Sequence, residues 1–393
     1  MNFGTRLLHN GNEVDPFTGA ASVPLYQAST YHQADIDNPG TFDYARSGNP
    51  TREALEQTIA ELEGGTRGFA FASGMAAIST VFLLFSKGDH LVVSEDLYGG
   101  TFRVLTEVLP RLGIQATFVD TTDLDQVRAA IRSQTRALYI ETPSNPTLKV
   151  TDLKGATELA KEQGLYTIVD NTFLTPCYQR PLEQGADIVI HSATKFIAGH
   201  SDVVSGLVAV GDTSLADRLA LLQNALGSVL GVQDCWLTMR GLKTLKTRMD
   251  TSSASADHIA RELRRFPEIR RVYYTGLEDH PGHRIQSRQS EGHGAVLSFD
   301  LGDGQRVRQV LSRVRLPLVA VSLGAVESIL SYPAKMSHAA MPPSERAKRG
   351  VTDGLLRLSV GLEDPDDLLE DLERAIRGRR ISSVGTEWRA SIV

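Results

Sequence analysis

Between residues 68 and 191, short runs that are apolar along their whole length alternate with stretches of helical period. That alternation leaves few folds open. The runs read as strands at Gly68–Ala72, His90–Ser94, Gln115–Val119, Arg136–Glu141, Tyr166–Asp170 and Asp187–His191. Helices are expected between them at Gly74–Phe85, Thr101–Leu112, Leu124–Ser133 and Leu153–Gln163. A strand without a polar side must be covered on both faces, which is what crossover helices do for a parallel sheet. The expected class is α/β with a mostly parallel sheet, whose ligands sit beyond the carboxyl ends of the strands. Glu141, Asp170 and His191 fall at such ends.

The flanks differ in character. Residues 1–60 read as an irregular arm with turns at Asn38-Pro39-Gly40 and Ser47-Gly48-Asn49-Pro50, running into a helix at Thr51–Glu63 that stops at Gly64-Gly65. Residues 61–245 form the large domain. Residues 246–378 read as a smaller α+β domain, with helices Met249–Phe266 and Leu368–Ile376 and strands near Ala295–Phe299 and Leu355–Val360. The tail 379–393, with Arg379-Arg380 and Trp388, has no period and stays unassigned.

Composition narrows the function. The chain of 393 residues carries 41 Lys and Arg against 47 Asp and Glu, a formal net charge of −6, and no basic block. Nucleic acid is therefore not an expected partner. Two cysteines, Cys177 and Cys235, make neither a disulfide framework nor a metal cluster, and no metal is expected. The apolar stretches fall short of a membrane span, and the first twenty residues lack an apolar signal core, so a cytoplasmic protein away from membranes is expected.

Several residues at or near strand ends carry chemistry. Lys195, in His191-Ser-Ala-Thr-Lys195, follows an apolar strand and two hydroxyls. Read alone it is a lysine snorkelling to water; the alternative is a Schiff-base lysine with Ser192 and Thr194 donating to a phosphate. Asp170 reads alone as a capping residue, or as the carboxylate that a pyridine nitrogen needs if the ring is to act as an electron sink. Gly74 and Met75, after Ser73, open a helix whose free amides suit an anion, though the same residues make an ordinary strand-to-helix turn. Tyr98 either packs or stacks on a flat ring. Asn145, in a turn fixed by two prolines, is either structural or a hydrogen-bond donor to a ring hydroxyl. Arg357, inside an apolar run, needs a carboxylate from the fold or from a substrate.

Taken together these strings resemble the Cys/Met-metabolism family of pyridoxal-phosphate enzymes. The matching segments are Tyr44-Ala-Arg46-Ser-Gly-Asn-Pro-Thr, Ser73-Gly-Met-Ala-Ala, Asp96-Leu-Tyr98-Gly-Gly-Thr, Glu141-Thr-Pro-Ser-Asn145-Pro, Val169-Asp170-Asn-Thr-Phe, His191-Ser-Ala-Thr-Lys195 and Leu356-Arg357-Leu-Ser-Val-Gly. The resemblance implies an aspartate-aminotransferase-like fold and pyridoxal 5'-phosphate as cofactor. It implies Lys195 as the Schiff-base lysine and general base, and Asp170 on the pyridine nitrogen. Tyr98 would stack on the ring, and Gly74, Met75, Ser192 and Thr194 would hold the phosphate. Arg357 would bind the substrate carboxylate, with Ser322, Asn145 and Tyr98 beside it. Tyr44 and Arg46 would reach the phosphate of a neighbouring subunit, which implies a homo-oligomer of at least two chains and, by family habit, a tetramer.

The family's members cleave or form carbon–sulfur bonds in sulfur amino acids such as cystathionine. Its γ-acting members usually carry a glutamate just before the Ser-Leu-Gly stretch. Here that place is Val321, whereas Asp43 resembles the γ-acting enzymes. The expectation is a carbon–sulfur lyase working by β-elimination on cystathionine. γ-Elimination and γ-replacement (cystathionine γ-synthase or acyl-homoserine sulfhydrylase chemistry) are the alternatives. Two other classes fit less well. Ser192-Ala-Thr-Lys195 matches the S-x-x-K pattern of serine acylases, but companion S-D-N and K-T-G motifs are missing. A non-enzymatic oligomeric binding protein would not need a lysine, an aspartate and an arginine converging on strand ends.

Overall fold

The computed structural model describes residues 1–9, 11, 14–339 and 341–378. The unassigned tail, residues 379–393, lies outside the described residues. Seven strands form the larger sheet: β1 (Arg67–Phe71), β2 (His90–Ser94), β3 (Gln115–Val119), β4 (Thr135–Glu141), β5 (Tyr166–Asp170), β6 (Ile188–Ser192) and β7 (Gly206–Val210). Their spatial order is β1-β7-β6-β5-β4-β2-β3. The five strands from β6 to β3 run parallel, as their apolar character predicts. At the other edge β7 pairs antiparallel with both β6 and β1.

The faces of this sheet bury separate cores. Phe69, Ile168, Ile190 and Val208 pack against the helices Gly74–Phe82 and Thr213–Leu226. Val92, Leu138, Ile140 and Val169 pack on the opposite face against the helix Leu153–Glu162. The second sheet holds β8 (Arg271–Tyr273), β9 (Val296–Asp300), β10 (Leu318–Val319), β11 (Ile329–Ser331) and β12 (Leu355–Ser359) in the order β10-β11-β12-β9-β8. Leu356 and Leu358 of β12 join a core with the helices Leu245–Leu263, Gly304–Arg313 and Pro365–Arg377. Strand period places Arg357 on the other face, where its register partners are Ser331 and Ser298.

Several elements differ from the sequence expectation. The helix expected over Thr101–Leu112 is three pieces: an α-helical turn at Gly99–Arg103, a π-helical turn at Val104–Val108 and a 3-10 turn at Leu109–Leu112. Pro110 supplies no amide, so a regular helix cannot run through it. The helix after it ends at Ala130 rather than Ser133, and the one at Gly74 ends at Phe82 rather than Phe85. The arm is not wholly irregular, since Phe3–His9 is helical and Leu7 is buried. Both cysteines are free and buried. No helix among the described residues is long and apolar enough to cross a membrane.

Candidate active site

The carboxyl ends of β4, β5 and β6 open into a cavity of about 490 Å³, whose far wall includes Ser322 and Arg357 from the smaller sheet and its loops. Parallel pairing of β4 with β5 sets Glu141 opposite Asp170 in register, so two carboxyl groups enter side by side. Ten of the twelve residues given a cofactor or substrate role in the sequence line the cavity: Gly74, Met75, Tyr98, Asn145, Asp170, Ser192, Thr194, Lys195, Ser322 and Arg357.

Lys195 lies three residues beyond β6, and its side chain turns into the cavity rather than out to bulk water. Its Nζ donates to Ser322 Oγ at 2.6 Å. Burial, and then the Arg357 guanidinium, lower its pKa from the ordinary lysine value to about 8. Ser322 holds its hydroxyl there from a left-handed backbone, φ +87°. Such a conformation is uncommon for a side-chain-bearing residue and concentrates at functional sites. Because Nζ engages Ser322 and not Ser192, the lysine–serine contact that an S-x-x-K acylase requires is missing.

Asp170 is buried, and its Oδ1 accepts from the Thr172 hydroxyl at 2.6 Å and the Thr172 amide at 3.1 Å. Tyr139 donates to Oδ2 at 3.4 Å. Burial raises the Asp170 pKa against the opposing pull of Thr172. Glu141 is pushed well above the carboxylate range, by burial first and by Asp170 second. It accepts the Tyr98 amide at 2.9 Å, which pins the turn carrying that half-exposed tyrosine.

Arg357 is buried, and among the described residues it forms no ion pair. It donates to Asn145 Oδ1 at 2.8 Å, the Ser322 carbonyl at 2.5 Å and Ser331 Oγ at 3.1 Å, and its Nε has no partner. The expected carboxylate is therefore not supplied by the fold, so the guanidinium is placed for one that arrives with a ligand.

At the opposite end Ser73 caps the helix Gly74–Phe82 through its side chain, which accepts the Ala76 amide. The Gly74 and Met75 amides make no bond among the described residues. A Cβ on Gly74 would lie 2.9 Å from Ser192 Oγ, so glycine keeps that corner open. The Thr194 hydroxyl is already shared with the Ser205 backbone, whereas Ser192 Oγ has no bonded partner among the described residues.

Tyr44 and Arg46 do not reach this cavity within one chain. Both lie on the arm, where Arg46 donates to the Asn224 carbonyl at 2.6 Å and to Asn224 Oδ1 at 2.8 Å. His191, at a strand end in the sequence, instead meets Glu63 at 2.6 Å in the buried interior. Sequence reasoning assigned no role to Thr172, Arg103, Met336 or Ser337, which also line the cavity. Thr172 had a local signal, a hydroxyl two residues after an aspartate. Met336 and Ser337 had none, because a distant loop brings them in.

The donor set fits a phosphorylated pyridine aldehyde. Among the described residues it combines a lysine amine of lowered pKa, a buried carboxylate bonded to no cation, and a glycine-cleared helix start with a free hydroxyl. Comparison with known proteins agrees. Residues 4–377 match the model of the Cys/Met metabolism PLP-dependent enzyme family. The chain belongs to that family, and pyridoxal phosphate is its cofactor. It is 60% identical over 373 residues to the cystathionine beta-lyase MetC of Bacillus subtilis (strain 168), covering 95% of this chain and 96% of the relative. It is 51% identical over 372 residues to the cystathionine gamma-lyase of the same organism, covering 95% and 98%. A crystal structure of cystathionine gamma-lyase from Lactobacillus plantarum complexed with L-serine superposes with a TM-score of 0.93 at 47% identity, covering 96% of this chain and 99% of that one.

Proposed function

We propose that the protein is a pyridoxal-phosphate-dependent carbon–sulfur lyase that converts L-cystathionine and water to homocysteine, pyruvate and ammonia. The observation that carries the reading is the cavity itself, lined by a lysine amine, a buried carboxylate and a buried arginine that forms no ion pair among the described residues. When bound, pyridoxal phosphate supplies an electron sink for the charge left on Cα when its proton is removed. Lys195 would anchor the cofactor, Asp170 would pair with the ring nitrogen, Tyr98 would stack on the ring, Asn145 would hydrogen-bond the ring hydroxyl, and Gly74, Met75, Ser192 and Thr194 would hold the phosphate.

Arg357 binds the α-carboxylate of the reacting half of the substrate, aided by Ser322 and Asn145, and so holds that half's Cα over Lys195. The Lys195 amine then takes the Cα proton. A pKa near 8 keeps a useful fraction of it neutral at neutral pH. Loss of the thiolate from Cβ needs no second deprotonation, whereas loss from Cγ does. Val321 stands at the cavity mouth, largely exposed, where a carboxylate would engage a substrate ammonium. The absence of that carboxylate favours β-elimination by roughly 1.5–3 kcal/mol, about 10- to 150-fold in partitioning. Tyr44 and Arg46 serve the phosphate site of a neighbouring copy, which makes the enzyme a homo-oligomer; we take it as a cytoplasmic tetramer on the family resemblance.

Product analysis with L-cystathionine tests the choice of bond. Pyruvate should dominate, and Val321→Glu should raise the share of 2-oxobutyrate. Mainly 2-oxobutyrate from the unaltered enzyme, or efficient cystathionine synthesis from cysteine and an O-acylhomoserine, overturns the β-lyase assignment and leaves the cofactor assignment standing.

A further inference from the structure

Three chain segments meet behind Tyr98. The first is the turn after β2, residues 95–98. The second is the loop after β4, which carries Asn145. The third comprises residues 332–339, with the 3-10 turn Pro333–Lys335, and residues 341–349, with the helix Pro343–Lys348. The first two are tied together directly. Asp96, buried beside Tyr98, accepts from the Ser144 hydroxyl at 2.5 Å and from the Thr147 hydroxyl.

The third segment presses on both. Its Ser337 carbonyl packs so closely on Gly99 that a Cβ there would overlap it. Its Arg349, also buried, donates from Nε to the Glu95 carbonyl at 2.7 Å. His338 is 1% exposed and sits at the junction itself. Its Nδ1 is 2.9 Å from Ser337 Oγ, and the backbone carbonyls of Leu97 and Asn145 border its ring. Neither carbonyl completes a well-formed bond to Nε2. Burial, then Arg357, outweigh their pull and lower the imidazole pKa to about 4, so the ring is neutral through the working pH range. A neutral ring has no reason to titrate or to carry substrate charge at this site; what it does is fill space between two turns.

We propose that His338 is a positioning residue for the reaction: wedged between Leu97 and Asn145, it holds Tyr98 and Asn145 against the cavity. The proposal rests on the assignment of this cavity to pyridoxal phosphate. His338 is not among the residues that line the cavity, so its effect passes through the two residues it backs. The same junction can be disturbed from the other side without altering His338, because Gly99→Ala forces the Ser337 carbonyl away.

The test uses the purified holoenzyme of His338→Ala, of Gly99→Ala and of the double variant. Pyridoxal phosphate affinity, the visible circular dichroism of the bound cofactor, kcat and KM are measured beside the melting temperature. Removing an aromatic stacking partner from the ring weakens cofactor binding about 2- to 13-fold. Each single variant should show a weakening of that size together with a reduced visible dichroic band. The double variant should be no weaker than the more affected single, because both changes release the same junction. His338→Gln, which restores bulk and a donor, should recover part of the band. A lowered melting temperature with affinity, band and kcat/KM unchanged would make His338 merely structural and overturn the proposal. Additive effects would overturn it too. If the unaltered protein binds no pyridoxal phosphate, the cavity assignment fails and the proposal with it, a result independent of residue 338.

Discussion

Replacing Arg357 with methionine should separate catalysis from stability. The guanidinium is buried, without an ion pair among the described residues, and held by one amide oxygen, one carbonyl and one hydroxyl. A buried cation of this kind costs the fold desolvation that neutral acceptors recover only in part. Burial lowers its pKa to about 10, against the pull of Glu141 and Tyr98, which shows the same penalty. Methionine is apolar and comparably long, so removal should change folding stability by less than about 2 kcal/mol in either direction. Catalysis should suffer far more. Two charge-assisted bonds to a substrate carboxylate are worth roughly 3–6 kcal/mol, which is about 10²- to 10⁴-fold in kcat/KM. The assay is steady-state pyruvate release from L-cystathionine, beside thermal melting of the same holoenzyme with its cofactor absorbance intact. A variant with near-normal kcat/KM refutes the carboxylate role. One whose melting temperature collapses with its activity refutes the claim that the fold does not need this charge.

Three further outcomes follow from the same site. With its pKa near 8, about a quarter of the Lys195 amine is neutral at pH 7.5, against roughly 0.1% for an ordinary lysine. Attachment of pyridoxal phosphate to stripped protein should therefore accelerate as pH rises and level off above about pH 8; a rate still climbing tenfold per pH step at pH 9 contradicts the shift, and Lys195→Ala should abolish both the yellow colour and turnover. Asp170→Asn should load cofactor but lose most of kcat, and unchanged kcat removes the carboxylate from the electron-sink chemistry. Mixing inactive Arg46→Ala chains with inactive Lys195→Ala chains should restore some activity in verified hybrids, whereas silent hybrids would confine the phosphate site to one chain.

What was legible in the sequence was local. Asp170 and Lys195 each follow an apolar run, so strand period and strand polarity place them at one edge before any coordinates are known. The glycine corner at Gly74 reads equally well, because a helix start after a strand is a local event. Contacts across sequence distance did not read. Nothing in Gly206–Val210 announces that it pairs antiparallel with both β6 and β1 and so leaves β1 at the edge. Ser322 gives no sign of its left-handed backbone, which is imposed by its surroundings, nor that its hydroxyl meets Lys195. Arg357 was visible as an anomaly in an apolar run, but its neutral partners were not. Of the two carboxylate sources open to it, the fold supplies none. Tyr44 and Arg46 do not reach the cavity within one chain, and the role proposed for them needs a second copy, which one chain's sequence cannot position.

The cavity draws Lys195 and Asp170 from one sheet and Arg357 from the other, and these lie far apart in synthesis order. Domains fold as units while the ribosome is still extending the chain. Strands β4 to β6 are synthesised well before residue 357, but the cavity they open into is walled by Ser322, Met336, Ser337 and Arg357 from much later in the chain. A chain extended only through β6 would lack both Ser322, the partner of the Lys195 amine, and the arginine of the far wall. The cavity is thereby finished late, when the last strand of the smaller sheet takes its place and brings Arg357 to the lysine and the aspartate.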